Sequence, residues 1–162
     1  MKKITKQLGI SLLEVMLSLS IIAIILVMAT KYFFVANRSD KINTVRQQIG
    51  EVIAAIESWK SEHPTYSDSP TLTIGTLSQQ GFLAKTNLMS NSGTANATLN
   101  NPWGYRISID NVGDNSVMVK TNLPGANDCR ALRNSFPDAQ PCNMGQFVLP
   151  VPMGTDQSGP NF

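Results

Sequence analysis

Residues whose chemistry could drive a reaction or hold a metal ion are scarce in this sequence. It contains one histidine, His63, and two cysteines, Cys129 and Cys142. A zinc site takes about four such ligands, which this set does not supply. The G-x-S-x-G motif of serine nucleophiles and the phosphate-binding P-loop motif are both missing from the sequence. We therefore expect a protein that is not an enzyme and that needs no metal or cofactor.

Two weaker candidates for chemistry remain, the Asp110–Asn115 segment and His63. Asp110 and Asp114 share a segment with two asparagines, but a calcium ion takes 6–8 oxygen ligands and this set is too small to favour a site. His63 precedes Pro64, and we expect it to cap a helix or to face solvent.

The formal net charge of +2 over 162 residues also argues against a polybasic nucleic-acid-binding protein.

One carboxylate is unusual because of its surroundings. Glu14 is the single charged residue in the run 10–30, ISLLEVMLSLSIIAIILVMAT. As a helix this run spans about 30 Å, the thickness of the hydrocarbon core of a bilayer. A charge within such a span is costly and usually has a function. The plainer alternative is that Glu14, near one end, reaches the lipid headgroups or is protonated.

The residues before the apolar run determine its orientation. Residues 1–9 carry Lys2, Lys3 and Lys6 and no acidic residue. Positive residues beside a span stay in the cytoplasm, so we expect the rest of the chain to be exported. A secretory signal peptide is disfavoured because the apolar run is long and no A-x-A-like cleavage site follows it. A simple membrane anchor is the other alternative.

The arrangement of leader, glycine, acid and apolar run resembles the type IV prepilin signature. A basic leader ends at Gly9, a hydrophobic residue follows at Ile10, and Glu14 occupies the fifth position after the glycine. The resemblance implies cleavage between Gly9 and Ile10 by a prepilin peptidase and N-methylation of Ile10. It also implies a homo-oligomeric helical filament, built by the inner-membrane pilus assembly machinery. Some pilins carry Pro or Gly within the span, and this span contains neither.

Cleavage would create an ammonium group whose electrostatics support a role for Glu14. The new amino group of Ile10 and the Glu14 carboxylate are each costly to bury alone among packed apolar helices, whereas a pair between neighbouring subunits offsets both costs. Breaking a buried pair typically costs about 3–5 kcal/mol. Loss of residues 1–9 removes three of thirteen basic residues and no acid, so the formal charge changes from +2 to −1.

The helix is expected to continue well beyond the apolar run. Apolar residues recur at spacings of three and four, which predicts one buried face, at Ile42, Val45, Ile49, Val52, Ile56 and Trp59. Pro64 should end the helix near Glu62. This gives a leader over 1–9, a long helix over 10–62 and a globular head over 63–162. A membrane span followed by a coiled-coil stalk is the alternative.

The head is predicted to hold a small antiparallel sheet. Strands are expected over 105–109, 116–120 and 146–149, with Pro150 and Pro152 ending the last. Residues 91–101 are rich in Asn, Ser, Thr and Ala and are expected to form a surface loop. The sequence Asn101-Pro102-Trp103-Gly104 predicts a turn in which Gly104 adopts a positive φ and Trp103 anchors the core.

Two short helices are also expected in the head. Thr76 and Gln79 have capping-box spacing, which predicts that Thr76 is the N-cap, and Gly81 is a suitable C-terminal cap. Residues 128–132 are expected to form the second helix, with Asn127 or Asp128 as its N-cap.

Cys129 and Cys142, with twelve residues between them, are expected to form a structural disulfide in an exported head. A redox-active pair is the alternative, although such pairs usually have C-x-x-C spacing. A C-terminal disulfide loop enclosing a short helix and a strand resembles the head of type IVb pilins.

The fold expected from these features is α+β and pilin-like, with a long N-terminal helix packed on a small antiparallel sheet. The expected function is that of a type IV pilus subunit, most like type IVb. Such a protein is held in the inner membrane as a prepilin, with its head in the periplasm, and is then assembled into an extracellular pilus. A minor pilin or type II secretion pseudopilin is the nearest alternative. An uncleaved single-pass receptor with a periplasmic binding head is the alternative of another class.

Overall fold

A computed structural model describes residues 11–63, 71–111 and 116–153 of the chain. Three helices and five strands lie in these ranges: α1 (Leu12–Glu62), α2 (Ile74–Gln79), β1 (Met89–Ser90), β2 (Thr98–Asn100), β3 (Arg106–Asn111), β4 (Ser116–Asn122), α3 (Ala126–Arg133) and β5 (Gln146–Pro152). The fold is α+β and pilin-like, as expected. Contacts divide the chain into two compact units, Met1–Ser39 and Asp40–Phe162, so the boundary falls within α1.

The second unit is built around one antiparallel sheet. Its strands follow chain order, β1-β2-β3-β4-β5, and every neighbouring pair is antiparallel. The longest ladder joins β4 and β5 and runs from the pair Ser116–Pro152 to the pair Asn122–Gln146. Short connections join β1 to β4 in turn, whereas the connection from β4 to β5 is longer and contains α3.

The heptad-spaced face of α1 is buried in the core of the second unit. Val45, Ile49, Val52, Ile56 and Trp59 are all fully buried. They share one apolar cluster with alternate residues of the sheet, which include Ile107, Ile109, Val117, Val119, Phe147 and Leu149. The helix ends at Glu62, as the position of Pro64 predicted. Packing of this amphipathic second half on the sheet stabilises a helix that is 51 residues long.

The end of α1 is closed by His63. The His63 Nδ1 donates a hydrogen bond to the Trp59 carbonyl oxygen at 2.9 Å. The two rings also stack, with centroids 4.3 Å apart and planes inclined by 10°. The prediction that His63 caps the helix is confirmed.

The prediction for β5 was wrong at its end, because the strand includes Pro150 and Pro152. β5 lies at an edge of the sheet, where a proline can occupy a position whose missing N–H would face away from the ladder. The outer edge of β5 is also partly covered. The Gln140 backbone N–H donates to the Val148 carbonyl at 2.9 Å, and the Lys60 ammonium donates to the Pro152 carbonyl at 3.4 Å.

The surface loop expected over 91–101 is partly wrong, since its end forms β2 at Thr98–Asn100. This strand pairs with β3 through Leu99 and Ile107, both buried. β1 was not expected either. Strands of two and three residues show no detectable alternation, so their positions are determined by the pairing of β2 with β3 and of β1 with β2.

Both predicted helix N-caps were wrong. The N-cap of α2 is Thr73, whose hydroxyl accepts a hydrogen bond from the Thr76 backbone N–H at 3.1 Å. The Thr76 hydroxyl completes a capping box by accepting from the Thr73 N–H at 2.8 Å. α3 begins with Gly125 as N-cap and no side-chain cap, so neither Asn127 nor Asp128 has that role. Gly81 does adopt the expected positive φ, 83°, after α2.

Candidate functional site

The most unusual surface of the molecule is the first part of α1. Its large apolar side chains from Leu12 to Val35 are between 42% and 78% exposed. Contiguous apolar patches above a few hundred Å² mark membrane or protein contacts in monomers. α1 is the one helix in the described ranges that is long and apolar enough to cross a membrane. This surface, called here the apolar segment (Leu12–Val35), is compatible with membrane anchoring.

The Ser and Thr hydroxyl groups of the apolar segment are satisfied within the helix itself. Ser18 donates to the Val15 carbonyl at 2.9 Å, and Ser20 donates to the Met16 carbonyl at 2.8 Å. Thr30 donates to the Val27 carbonyl at 2.9 Å. Hydroxyls bonded in this way add little to the cost of burial in lipid or against another helix, because no donor is left unpaired.

The Glu14 side chain differs from these hydroxyl groups. It lies in the first turn of α1, and its backbone N–H donates to the Ser11 carbonyl at 2.9 Å. Among the residues with described positions, none forms a hydrogen bond or ion pair with its carboxylate. A carboxylate near the helix N-terminus is favoured by the helix dipole, but burial in an apolar environment would also require a cation.

The predicted cleavage and methylation sites cannot be placed beside Glu14. Gly9 and Ile10 lie outside the described residues.

Three aromatic residues, which were not singled out from the sequence, lie near the C-terminal end of the apolar segment. Tyr32, Phe33 and Phe34 come directly after Lys31 and are 66–76% exposed. Aromatic rings next to a basic residue are typical of the boundary between lipid and water. This positional rule is the sequence signal that could have identified them.

Cys129 and Cys142 form the expected disulfide, with their Cα atoms 6.0 Å apart. Cys129 lies on α3 and is fully buried in the core, and its sulfur lies 3.2 Å from the Gln146 carbonyl oxygen. The bond therefore ties α3 to the chain that enters β5. This position within the core supports a structural rather than a redox-active pair.

The suggested calcium ligands are engaged elsewhere or lie outside the described residues. Asp110 accepts a hydrogen bond from Lys120 at 2.7 Å across β3 and β4, and the Asn111 amide lies 3.4 Å from the Leu72 carbonyl. Asp114 and Asn115 are not among the described residues. Within the ranges that are described, no three His, Cys, Asp or Glu side chains are grouped as a metal site.

Asn101 organises the turn before β3, a role that the sequence did not reveal. The side chain is 1% exposed, and its Oδ1 accepts hydrogen bonds from the backbone N–H groups of Trp103 and Tyr105, both at 3.0 Å. Its amide nitrogen donates to the Asn122 carbonyl at 2.8 Å. Gly104 has the expected positive φ, 84°, and Trp103 packs half-buried against the core with the Lys41 ammonium 5.8 Å from its ring centroid.

No family model, curated protein or solved structure matches this chain. The exposed apolar segment, its single carboxylate and the disulfide-bonded head are the features of this chain that bear on its function.

Proposed function

We propose that this chain is the subunit of a type IV pilus-like filament, most like the type IVb class. It would be made as a prepilin, held in the inner membrane by residues 10–30, cleaved after Gly9 and methylated on Ile10. Assembly would then transfer the apolar segment from lipid to the core of a filament. The observation that carries this proposal is an apolar helix exposed all round, with Glu14 as the one charged residue in the run 10–30.

The exposed apolar side chains supply a large driving force for burial, both in lipid and in the core of a filament. Complete burial of a Leu, Ile, Val or Phe side chain contributes roughly 1.5–3 kcal/mol. Lipid and a bundle of like helices both satisfy this requirement, so hydrophobicity alone does not select one arrangement of subunits. A specific polar contact is needed to fix the register between neighbouring helices.

Glu14 is suited to that contact. Cleavage after Gly9 would place a positive amino group at Ile10, four residues before the carboxylate. The amino group of an incoming subunit would pair with Glu14 of a subunit already in the filament. Since an unpaired buried charge is strongly destabilising, only the register that pairs both groups would be stable.

The head has the features needed outside the cytoplasm. Its disulfide is the kind of crosslink that persists in oxidising compartments. The heptad face of α1 is already buried in the head's own core, so it offers no surface for a coiled-coil stalk. This supports a pilin-like subunit over a receptor with a dimeric stalk.

The first experiment is an intact-mass measurement on the protein from membranes and from material sheared off the cell surface. The proposal expects a sheared fraction that lacks residues 1–9 and carries one added methyl group. A full-length mass from Met1 to Phe162 in both fractions would refute it and favour an anchored receptor. Cleaved, methylated protein found in the membrane alone would refute a major pilin and favour a minor pilin or pseudopilin.

A further inference from the structure

Met144 lies at the apex of a tight turn that joins the disulfide loop to β5. The Gln146 backbone N–H donates to the Asn143 carbonyl at 2.8 Å, and the φ angles of Met144 and Gly145 are 46° and 84°. Positive φ at both central positions is typical of a type I′ turn. Residues other than Gly, Asn and Asp are uncommon at such positions, so Met144 has an unfavourable backbone conformation for its type.

The turn is held in place by hydrogen bonding and close packing against Leu123, just after β4. The Leu123 backbone N–H donates to the Gly145 carbonyl at 2.9 Å. A Cβ atom at Gly145 would lie 2.5 Å from the Leu123 carbonyl oxygen, so the two backbones are in close contact and the glycine is required there. The apex residue is thus kept in one conformation, and its side chain is 99% exposed.

The other methionines of the head are shielded. Met89 is 8% exposed and Met153 is 4% exposed, and both belong to the apolar core. Met118 lies on β4 and is partly buried. Met16 and Met28 are in the apolar segment, which lipid or a detergent micelle would cover. Met144 is therefore the described methionine whose sulfur water and small solutes reach most freely.

We propose that Met144 is an oxidation site, at which hydrogen peroxide converts the thioether to the sulfoxide before the other described methionines of the head react. A sulfur lone pair attacks one peroxide oxygen, an S–O bond forms and the O–O bond breaks. The departing hydroxide takes the proton from the new S–OH group and leaves as water. The sulfur loses two electrons, and the peroxide is reduced by two. Methionine oxidation depends on this access to the sulfur.

Oxidation at this position changes the surface and not the core. Met144 borders a depression of about 460 Å³ whose lining includes Tyr105, Leu123 and Pro124. A sulfoxide would replace an apolar side chain there by a polar one. Because the side chain packs on nothing, the fold should tolerate the change. This inference is independent of the filament proposal, since it depends on the geometry of the head alone.

The test is peptide mapping by mass spectrometry of the full chain in detergent micelles after exposure to hydrogen peroxide. We expect Met144 to gain an oxygen atom about tenfold or more faster than Met89 and Met153, with the near-ultraviolet circular dichroism unchanged. Equal rates, or loss of the near-ultraviolet signal as Met144 reacts, would overturn the proposal.

Two matched variants identify the sulfur responsible. Met144→Leu should remove the fast phase of oxygen uptake, and Met118→Leu should retain it. Leucine is similar in size to methionine at both positions and is no less suited than methionine to the positive φ of residue 144, so both variants should fold. A fast phase that persists in Met144→Leu would show that another methionine is the preferred target and would overturn the assignment.

Discussion

The two parts of α1 have the same secondary structure but opposite surroundings. From Leu12 to Val35 apolar residues occupy the whole circumference of the helix and are exposed. From Ile42 to Trp59 apolar residues recur every three or four positions and are buried by the chain's own sheet. A stripe can be covered by one sheet, whereas an apolar surface on all sides requires lipid or several other helices. The first part therefore needs partners that the second part finds within its own chain.

The largest expected effect concerns Glu14. Glu14→Ala and Glu14→Gln should both abolish filaments, because the Ile10 amino group would lose its partner at a cost of about 3–5 kcal/mol per contact. Electron microscopy of sheared surface material measures this directly. Membrane insertion and the folded head should be retained, which near-ultraviolet circular dichroism and disulfide mapping would verify.

Ser18→Ala is the matched control for Glu14, since it removes another polar group one turn further along the same helix. It should leave assembly intact, because the Ser18 hydroxyl bonds within its own helix. Abundant filaments formed by Glu14→Ala would contradict the pairing argument and would leave hydrophobic packing as the determinant of register.

The next prediction compares the same substitution in the two parts of α1. Ile49→Ala should destabilise the head by about 2–5 kcal/mol, since the side chain is fully buried in the core. Ile25→Ala should leave head stability nearly unchanged, because Ile25 is 59% exposed and belongs to the other unit. Denaturant unfolding of the full chain in micelles, followed by Trp fluorescence, measures both. Equal destabilisation by the two variants would show that the parts unfold as one.

The disulfide should have a similar but slightly smaller effect on the head. Replacing both Cys129 and Cys142 by Ser should destabilise it by about 3 kcal/mol, because the unfolded chain regains the freedom of an open loop. Thermal unfolding with and without reductant supplies the measurement and its control, since reductant should destabilise the wild type and leave the double variant unaffected. A reductant effect on the variant would point to a different cause.

The smallest expected effect is stabilising and concerns Gly50 in the second part of α1. A Cβ atom at Gly50 would have no heavy atom within 4 Å, so Gly50→Ala should gain about 0.5–1 kcal/mol of helix stability. Gly75→Ala is the contrasting variant, because a Cβ atom at Gly75 would clash with the Ala95 carbonyl oxygen. This substitution should destabilise the head. Chemical denaturation of the two variants would separate them by sign. Destabilisation by Gly50→Ala would indicate a close contact there that one chain does not show.

Prediction from sequence was most successful where the signal is local or strongly periodic. The heptad spacing identified the buried face of α1, and Pro64 located its end at Glu62. The alternation in β4 and the cysteine pair were also sufficient to predict a strand and a disulfide. These features depend on neighbouring residues or on a repeat, so the tertiary structure had little freedom to change them.

Prediction failed where contacts distant in sequence decide the outcome. β2 forms because β3 lies beside it, and β5 continues through Pro150 and Pro152 because it is an edge strand. Asn101 is structurally important through bonds to the Asn122 carbonyl and to the turn, which composition alone does not reveal. The N-cap of α2 was missed for a local reason instead, because Thr73 and Thr76 form a capping box three residues earlier than the predicted one.

The sequence by itself determined a long helix with an apolar first part, one carboxylate within it, and a head of alternating strands closed by a disulfide. Those properties follow from hydrophobic period, charge spacing and proline position, which act over a few residues. Only the tertiary structure decided that the sheet has five strands, that the second part of α1 is covered by that sheet, and that Met144 is presented on a rigid turn. These properties depend on which surfaces, distant in sequence, contact one another. Burial stabilises such contacts only when the whole head has folded.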